Sequence, residues 1–309
     1  MIFMRFMNLG VIILLAFLAA MTGGATLEGA ASPPLPLRVP EAAWRPLEQR
    51  WDQGLQAKLD QALKQGKLRR ELIDQGKMAV GLVDLGDPES PRFARVNADT
   101  MMYAASLPKI IILLAAFQGF QDGSLKETPQ IQADLIEMIR RSDNFAAGQM
   151  VARIGLTKIE RLILEPRYRF YDTRQGGGIW VGSSFAGDGQ ENPEPLKGLL
   201  QAATVHQVCR FYYLLAYGKL INPERSRQML KILAFPDLHD KFVSRLEGVM
   251  PSNYLYRKSG EFRNWYSDSV LVWDKTWRRY ILAALVEHQQ GEEILRQLVP
   301  LVEDILRPH

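Results

Sequence analysis

Strand-like segments lie near both ends of the chain, and the long stretch between them has mostly helical patterns. Residues 78–85 form a buried apolar run, and residues 92–96 fit a hairpin partner after a Gly-Asp-Pro turn. Three more strands are predicted over residues 254–259, 267–273 and 279–286. Strands this far apart in sequence can share one sheet only if the middle of the chain forms an insertion.

The helical patterns lie before, between and after the two groups of strands. The predicted helices span residues 42–64, 110–117, 131–140, 204–217, 223–233 and 292–306, and residues 167–196 form a long loop rich in glycine and proline. The simplest assembly is an α+β fold. A five-stranded antiparallel sheet is flanked by the terminal helices and carries an inserted all-helical subdomain.

The first 31 residues differ in composition from the rest of the chain. Thirteen consecutive residues, Leu9 to Met21, carry no charge, and Arg5 precedes them. Spanning a bilayer takes about 20 apolar residues, so this run suits a signal peptide better than a permanent span. Residues 1–31 are predicted to be a signal peptide or an uncleaved N-terminal anchor, with export to the periplasm or the extracellular space. A proline-rich lead-in, residues 32–41, precedes one domain at residues 42–309.

The composition excludes several kinds of partner. The net charge of +4 comes from 38 basic and 34 acidic residues without a block of Lys or Arg, so no nucleic-acid partner is predicted. Membrane contact is expected only through the N-terminal segment. The single Cys209 cannot form an internal disulfide and is expected to be a buried small hydrophobe. Four histidines lack metal-ligand spacing, so neither a metal nor a cofactor is predicted: His206, His239, His288 and His309.

The first polar cluster, Ser106-Leu107-Pro108-Lys109, precedes a strongly apolar run. Pro108 fits only the first turn of a helix, which places Ser106 at the helix start and Lys109 one turn along. Positions i and i+3 share a helix face, so Lys109 Nζ can reach Ser106 Oγ and, if desolvated, act as its base. A backbone N–H at this terminus can stabilise an oxyanion. The alternative is that Ser106 is only a helix N-cap.

Two further clusters also have structural alternatives. Ser142-Asp143-Asn144 follows a predicted helix and can be a helix-end turn. Lys258-Ser259-Gly260 lies on a predicted strand and can be an edge strand with a protective lysine and a glycine bulge.

In this order, the three clusters resemble the S-x-x-K, S-D-N and K-T-G or K-S-G motifs of the penicillin-recognising serine hydrolases, the class A β-lactamases and D,D-peptidases. The resemblance extends over nearly the whole main domain and implies the β-lactamase-like fold. It also implies catalytic roles for three residues. Ser106 is the nucleophile that becomes acylated, Lys109 activates it, and Ser142 passes a proton to the leaving group.

The resemblance implies substrate-binding roles for the remaining motif residues. Asn144 binds the substrate's side-chain amide, and Lys258 and Ser259 bind its carboxylate as part of the motif that ends at Gly260. The oxyanion hole consists of the backbone N–H groups of Ser106 and Glu261.

The chain departs from the class A pattern at the residue that activates water. No E-x-x-L-N motif lies between Asn144 and Lys258. Four acids of that interval are interpreted as solvated loop charges: Glu165, Asp188, Glu191 and Glu194. Without a positioned base, an acyl-enzyme formed with a β-lactam persists, so efficient β-lactamase activity is not expected.

Other departures concern the shape and charge of the cleft. Ser142 follows Ser106 by only 36 positions, which predicts a more open site than the family's. The strand 266–269 carries an acid, Asp268, where the family often has an arginine. Either Arg263 or another base substitutes for that arginine, or the acid selects a different, less anionic substrate. Residues 176–178, three glycines, are interpreted as a flexible cleft rim.

These patterns predict an exported serine hydrolase that acts on an amide, a peptide or a β-lactam-like substrate and needs no cofactor. The substrate is expected to come from the cell envelope. A penicillin-binding or sensor module of the same fold with little turnover is the alternative, and a Ser/His/Asp triad that uses His206 or His239 also stays open.

Overall fold

The computed structural model of the protein describes residues 35, 43–187 and 189–308. The predicted signal segment 1–31, most of the lead-in 32–41, Asp188 and His309 lie outside the described residues. Within the described ranges, no helix is both long enough and apolar enough to cross a membrane.

The described chain contains ten strands and ten α-helices, which follow one another in groups. The strands are β1 (Met78–Asp84), β2 (Arg92–Val96), β3 (Met102–Tyr103), β4 (Tyr171–Asp172), β5 (Gly177–Gly178), β6 (Trp180–Val181), β7 (Gln201–Ala203), β8 (Leu255–Phe262), β9 (Trp265–Trp273) and β10 (Arg279–Glu287). The helices are α1 (Gln53–Lys64), α2 (Lys67–Asp74), α3 (Lys109–Asp122), α4 (Pro129–Arg140), α5 (Asn144–Ile154), α6 (Leu156–Leu164), α7 (Val205–Ala216), α8 (Pro223–Leu233), α9 (Val243–Leu246) and α10 (Gly291–Leu306).

The five long strands form one antiparallel sheet in the order β2-β1-β10-β9-β8. Strands from both ends of the chain thus meet, and the middle of the chain is inserted between β2 and β8. This confirms the predicted α+β class and the five-stranded sheet. β8 is an edge strand, and the inserted region packs against it.

Alternate residues of the sheet enter two separate cores. In β1, Ala79 and Val83 belong to the core shared with the inserted helices, whereas Val80 and Leu82 belong to the core shared with α1 and α10. Side chains of a strand alternate between faces, so a strand covered on both faces is apolar throughout, as the sequence of β1 is.

The predicted first helix, residues 42–64, is wrong in its first half. A 3-10 turn at Leu47–Arg50 is followed by Trp51, which forms a β-bridge with Phe93, and only then does α1 begin. Asp52 determines this boundary, because its side chain accepts a hydrogen bond from Leu55 N at 2.6 Å and caps the helix.

The glycines at 176–178 do not form a flexible rim. Gly177 and Gly178 are buried, and they make up β5, which pairs with β4. A Cβ at Gly178 would overlap the carbonyl O of Phe170. These glycines allow close backbone packing, and the prediction of flexibility is wrong.

Cys209 of α7 packs against β1 at a glycine. It is fully buried, as predicted, and burial raises the pKa of its thiol. A Cβ at Gly81 would lie 2.6 Å from Cys209 Sγ. The thiol therefore fills the space that the missing side chain of Gly81 leaves.

We predict that Gly81→Ala destabilises the protein by about 1–3 kcal/mol through overpacking. Combining it with Cys209→Ala, which removes the clashing sulfur, should recover part of this loss in a denaturant double-mutant cycle. Gly248→Ala is the matched control, because a Cβ there meets nothing within 4 Å. Zero coupling between Gly81 and Cys209 would contradict the packing argument.

Candidate active site

Ser106 lies in a tight turn between β3 and α3. Hydrogen bonds from Leu107 N to Ala104 O (3.1 Å) and from Lys109 N to Ser106 O (3.2 Å) define this turn. The next two amides, Ile110 N and Ile111 N, also bond three residues back rather than four, so this segment is a tight turn and not part of the α-helix. The α-helix begins at Lys109 with Pro108 as its N-cap, and both predictions that placed Ser106 at the helix start or as N-cap are wrong.

The backbone of this turn is held from two sides. Ala105 has a φ of 49°, in the left-handed region that residues with a side chain seldom adopt. Ala104 N donates to Gln201 O of β7 at 2.8 Å, and Ser267 Oγ of β9 donates to Ala104 O at 2.8 Å. These contacts maintain the strained conformation next to the partly exposed Ser106.

Gly260 allows β8 to lie against the Ser106 turn. A Cβ at this position would lie 2.5 Å from Ser106 N and 2.6 Å from Ala104 O. The pairing of β8 with β9 is continuous from Leu255 to Phe262, so Gly260 is not the bulge of the alternative reading. Its lack of a side chain allows the strand to contact the turn that carries Ser106.

The geometry of the β8–β9 hairpin orients the backbone of Glu261. The hairpin has a two-residue turn, so Phe262 and Trp265 form its first hydrogen-bonded pair. Pairing alternates along an antiparallel ladder, and the N–H of Glu261 therefore points to the unpaired edge of the sheet, beside the contact between Gly260 and Ser106. The side chain of Glu261 is 60% exposed and ion-pairs with Lys241 at 2.7 Å.

Lys109 is fully buried, and its ammonium contacts the segment 142–144. Nζ donates to Ser142 O (2.6 Å), Asp143 O (3.3 Å) and Asn144 Oδ1 (2.7 Å). Burial lowers the pKa of Lys109 to about 7, although the charge of Asp143 opposes this effect. Near neutral pH, a large fraction of Lys109 is therefore uncharged and able to accept a proton.

The segment 142–144 has both structural and polar functions. Asp143 N donates to Glu137 O of α4 at 3.2 Å, as the helix-end turn predicts, and Asp143 Oδ1 accepts a hydrogen bond from Ala146 N at 2.6 Å and caps α5. Ser142, with a φ of 60°, has its Oγ 2.8 Å from Lys258 Nζ, which donates to it. Asn144 is the first residue of α5, and its Oδ1 faces Lys109.

Lys258 of β8 is buried, with 1% of its surface exposed. Its Nζ donates to Ser142 Oγ and, at 2.6 Å, to Ser259 O. Burial, followed by repulsion from Lys109 and Arg257, holds the pKa of Lys258 well below its ordinary value. Lys258 is therefore not the solvent-exposed protective lysine of the edge-strand alternative.

The predicted site residues thus meet at one place in the fold. Lys109, Ser142, Asn144 and Lys258 are joined by hydrogen bonds, and Gly260 contacts the turn that carries Ser106. No hydrogen bond between Lys109 Nζ and Ser106 Oγ is formed in the part of the chain that the structure describes. Such bonds are often long before a substrate binds. Ser259 is buried in β8, between Lys258 and Gly260.

Phe185 is a site residue that the sequence reasoning missed. Its ring centroid lies 4.9 Å from Lys109 Nζ, close enough for a cation–π contact. The one available sequence signal was an aromatic residue in the otherwise small and polar stretch 182–189.

The loop acid Glu194 is not the solvated charge that the sequence suggested. It is buried, and its carboxylate accepts hydrogen bonds from Tyr171 Oη (2.7 Å) and from the backbone N of Leu196 (2.7 Å) and Lys197 (2.6 Å). It therefore organises the loop. Asp188 lies outside the described residues, and among the described ones neither Glu165 nor Glu191 is hydrogen-bonded to a site residue.

Asp268 does not face the site. It is fully buried on the opposite face of the sheet, where Arg257 Nε donates to its Oδ1 at 2.8 Å and Phe242 N donates to its Oδ2 at 3.0 Å. The expectation that this acid selects a less anionic substrate is therefore wrong. Arg263 lies in the β8–β9 turn, with its guanidinium 5.0 Å from the ring centroid of Phe262.

The two histidine candidates for a triad have other partners. His206 Nδ1 lies 2.7 Å from Asp99 Oδ1, and its Nε2 lies 3.5 Å from Glu48 Oε1. Burial lowers the pKa of His206, but the two carboxylates outweigh it and the net shift is upward. His239 pairs with Glu247 near the surface. Among the described residues, neither histidine is hydrogen-bonded to Ser106.

The sheet with its helical insertion and this cluster of serines and lysines define a β-lactamase-like serine hydrolase fold. The chain matches the model of the β-lactamase enzyme family over residues 64–135 and 130–304. The protein therefore belongs to the β-lactamase enzyme family.

Solved structures show the same fold at low sequence identity. A β-lactamase from Sphaerobacter thermophilus has 16% identity and a TM-score of 0.60, with 82% of this chain and 94% of that chain covered. A PBP-A variant, solved as an acyl-enzyme complex with penicillin G, has 19% identity and a TM-score of 0.60, with 84% and 98% covered. A class A β-lactamase from Bacteroides cellulosilyticus has 15% identity and a TM-score of 0.60, with 82% and 99% covered. A comparison with curated protein sequences finds no match.

We predict that Asp268→Asn destabilises the protein by about 3–5 kcal/mol, because it leaves the buried Arg257 without its full counter-charge. Glu224→Gln, which breaks the exposed pair with Arg227, should change the free energy of unfolding by less than about 1 kcal/mol. Denaturant unfolding of both variants measures this. Equal changes in the free energy of unfolding of the two variants would contradict a larger contribution from the buried pair.

Proposed function

We propose that this protein is an exported serine hydrolase that cleaves an amide or peptide of the cell envelope through an acyl-Ser106 intermediate and releases the acyl group slowly. The observation that carries the proposal is the polar contact chain at the site. Lys258 bonds to Ser142, and Lys109 bonds to both Ser142 and Asn144, beside the turn that carries Ser106.

Acylation needs a base, an oxyanion site and a proton donor. Neutral Lys109 takes the proton of Ser106 Oγ, which attacks the substrate carbonyl carbon. The backbone N–H groups of Ser106 and Glu261 stabilise the oxyanion. The C–N bond then breaks, the leaving nitrogen takes a proton through Ser142, and the acyl group stays on Ser106.

The substrate-binding residues suit a polar peptide or a β-lactam-like ring. Asn144 offers an amide at the edge of the site, and Lys258 and Ser259 offer a positive charge and a hydroxyl to a carboxylate. The PBP-A variant named above was solved with penicillin G as an acyl-enzyme, which supports an acyl-serine route on this fold. The short interval between Ser106 and Ser142 supports an open cleft that admits a peptide.

Slow deacylation rests on the surroundings of Lys109. Among the described residues, the long loop presents the ring of Phe185 to Lys109, and Asp143, a helix cap, is the acid whose charge acts on it. Hydrolysis of the acyl ester needs a base near the attacking water. The position of Phe185 beside Lys109 also favours the second candidate, a penicillin-binding or sensor module with little turnover.

Export rests on the composition of residues 1–31. An uncharged run of thirteen residues after Arg5 is typical of a signal peptide. We propose that the protein acts in the periplasm or outside the cell, either released or held by this segment.

We predict that a fluorescent penicillin labels the full-length protein covalently and that Ser106→Ala abolishes the label. Ser124→Ala, at an exposed serine after α3, should label like the wild type. Intact-mass spectrometry of the adduct and its tryptic peptides measures both. An undiminished adduct on Ser106→Ala would refute the nucleophile assignment.

The same samples separate the candidate functions. Release of the label, or hydrolysis of any peptide or ester tested, supports the hydrolase. A permanent adduct without any hydrolysis supports the sensor module. Rapid multiple turnover of nitrocefin would contradict slow deacylation.

We predict that the acylation rate constant rises with pH and levels off above a midpoint near 7. Lys109 acts as a base only when neutral, so below its pKa of about 7 the rate should fall by about tenfold per pH unit. Stopped-flow labelling at a series of pH values from about 5.5 to about 9 measures this dependence. Lys109→Arg should remove the activity, whereas Lys67→Arg, at a lysine whose side chain is 83% exposed, should keep the profile. A flat wild-type profile would contradict the assignment of Lys109.

A further inference from the structure

The ring of Phe185 lies beside the ammonium of Lys109, which also contacts the segment 142–144. Carbonyl and amide oxygens of that segment accept hydrogen bonds from Nζ, and the ring centroid lies 4.9 Å from the same atom. Phe185 is half-buried and packs against the core of the inserted helices.

The loop holds Phe185 in place on both sides. Before it, Gln201 Nε2 donates to Ser183 Oγ at 2.8 Å. After it, Ala186 packs so closely against α5 that a Cβ at Gly148 would lie 3.0 Å from its Cβ. These anchors maintain a φ of 65° at Phe185, a left-handed conformation that is costly for a bulky residue.

We propose that Phe185 is a positioning residue that keeps water away from Lys109 and the acyl ester and thereby sets the lifetime of the acyl-enzyme. The inference rests on the proposed acyl-Ser106 intermediate. A strained, anchored aromatic ring beside a catalytic base is costly to maintain, and its position gives it a direct effect on the solvation of that base.

The chemistry that Phe185 controls is ester hydrolysis. A water oxygen attacks the acyl carbonyl carbon while neutral Lys109 takes one water proton. The bond from this carbon to Ser106 Oγ breaks, Oγ recovers a proton from Lys109, and a carboxylic acid leaves. A ring that fills the space beside Nζ prevents water from occupying the position from which Lys109 can deprotonate it.

The test compares Phe185→Ala, which opens this space, with Phe185→Leu, which keeps apolar bulk. Each full-length variant is labelled with a fluorescent penicillin, freed of excess reagent, and followed by intact mass. We expect the Ala variant to release the acyl group at least about tenfold faster than the wild type, equivalent to about 1.4 kcal/mol of activation free energy. The Leu variant should stay close to the wild type. Leu196→Ala, at an exposed residue of the same loop, is the matched control.

A second readout separates this role from a structural one. Opening the space hydrates Lys109, so the midpoint of the acylation pH profile should move upward in Phe185→Ala and not in Leu196→Ala. Asp143 and Lys258 are the charged groups that face Lys109 in the described structure, and both are unchanged in these variants. Once the pH exceeds the shifted midpoint, the acylation rate of Phe185→Ala should approach the wild-type plateau.

The outcomes distinguish the two proposals. If the wild type forms no adduct, the proposed function fails. If adducts form but all variants release the acyl group equally slowly, the role of Phe185 is refuted and the function stands. If Phe185→Ala loses both acylation and thermal stability, Phe185→Val replaces it, and an unchanged adduct lifetime in that variant overturns the inference.

Discussion

The direct contact between two backbones at Gly260 is the constraint on which the site depends. β8 approaches the Ser106 turn so closely that a Cβ at Gly260 would lie 2.5 Å from Ser106 N. This contact joins the last part of the sheet to the start of the inserted helices. It also places the backbone N–H groups of Ser106 and Glu261 on two adjacent segments. With a side chain at Gly260, β8 could not contact the turn that carries Ser106.

Two buried lysines set the electrostatics of the site. Lys109 and Lys258 both lie out of water, and the charge of Lys109 is among the causes that lower the pKa of Lys258. Desolvation and mutual repulsion disfavour the state in which both are charged. The site therefore tends to hold a neutral amine at neutral pH, which the proposed activation of Ser106 requires. Hydrogen bonds to Ser142 and Asn144 compensate Lys109 for part of its lost hydration, and bonds to Ser142 and Ser259 do the same for Lys258.

The sequence predicted the sheet better than it predicted the site. Apolar strands and capped helices are local patterns, and β2 and α8 have the predicted bounds. The first helix was wrong because an Asp52 cap and a bridge from Trp51 overrode a good helical periodicity. The pairing of Lys258 with Ser142 spans 116 positions, and only the motif resemblance suggested it.

What the sequence could not predict lies where backbones pack tightly or loops fold back. The buried glycines of β5 resemble a flexible rim until their contact with Phe170 is known. Glu194 resembles a surface charge until its bonds to Tyr171 and the loop backbone are seen. For Phe185 the sequence offers only an aromatic residue in a small and polar stretch, because its approach to Lys109 depends on a left-handed turn anchored by Ser183 and Ala186.

The two faces of β8 explain why its charged residues differ in function. Arg257 points to one face, where Asp268 and Asp240 neutralise it, and Lys258 points to the other, where its partners are a hydroxyl and a carbonyl. Arg257 lowers the pKa of Lys258 and Asp268 raises it, so the buried pair changes the lysine's charge less than either member alone would. Neutralising Asp268 would leave Arg257 to repel Lys258 through the strand. The ion pair on the rear face is thus coupled to the proton affinity of the site, although it contacts no substrate.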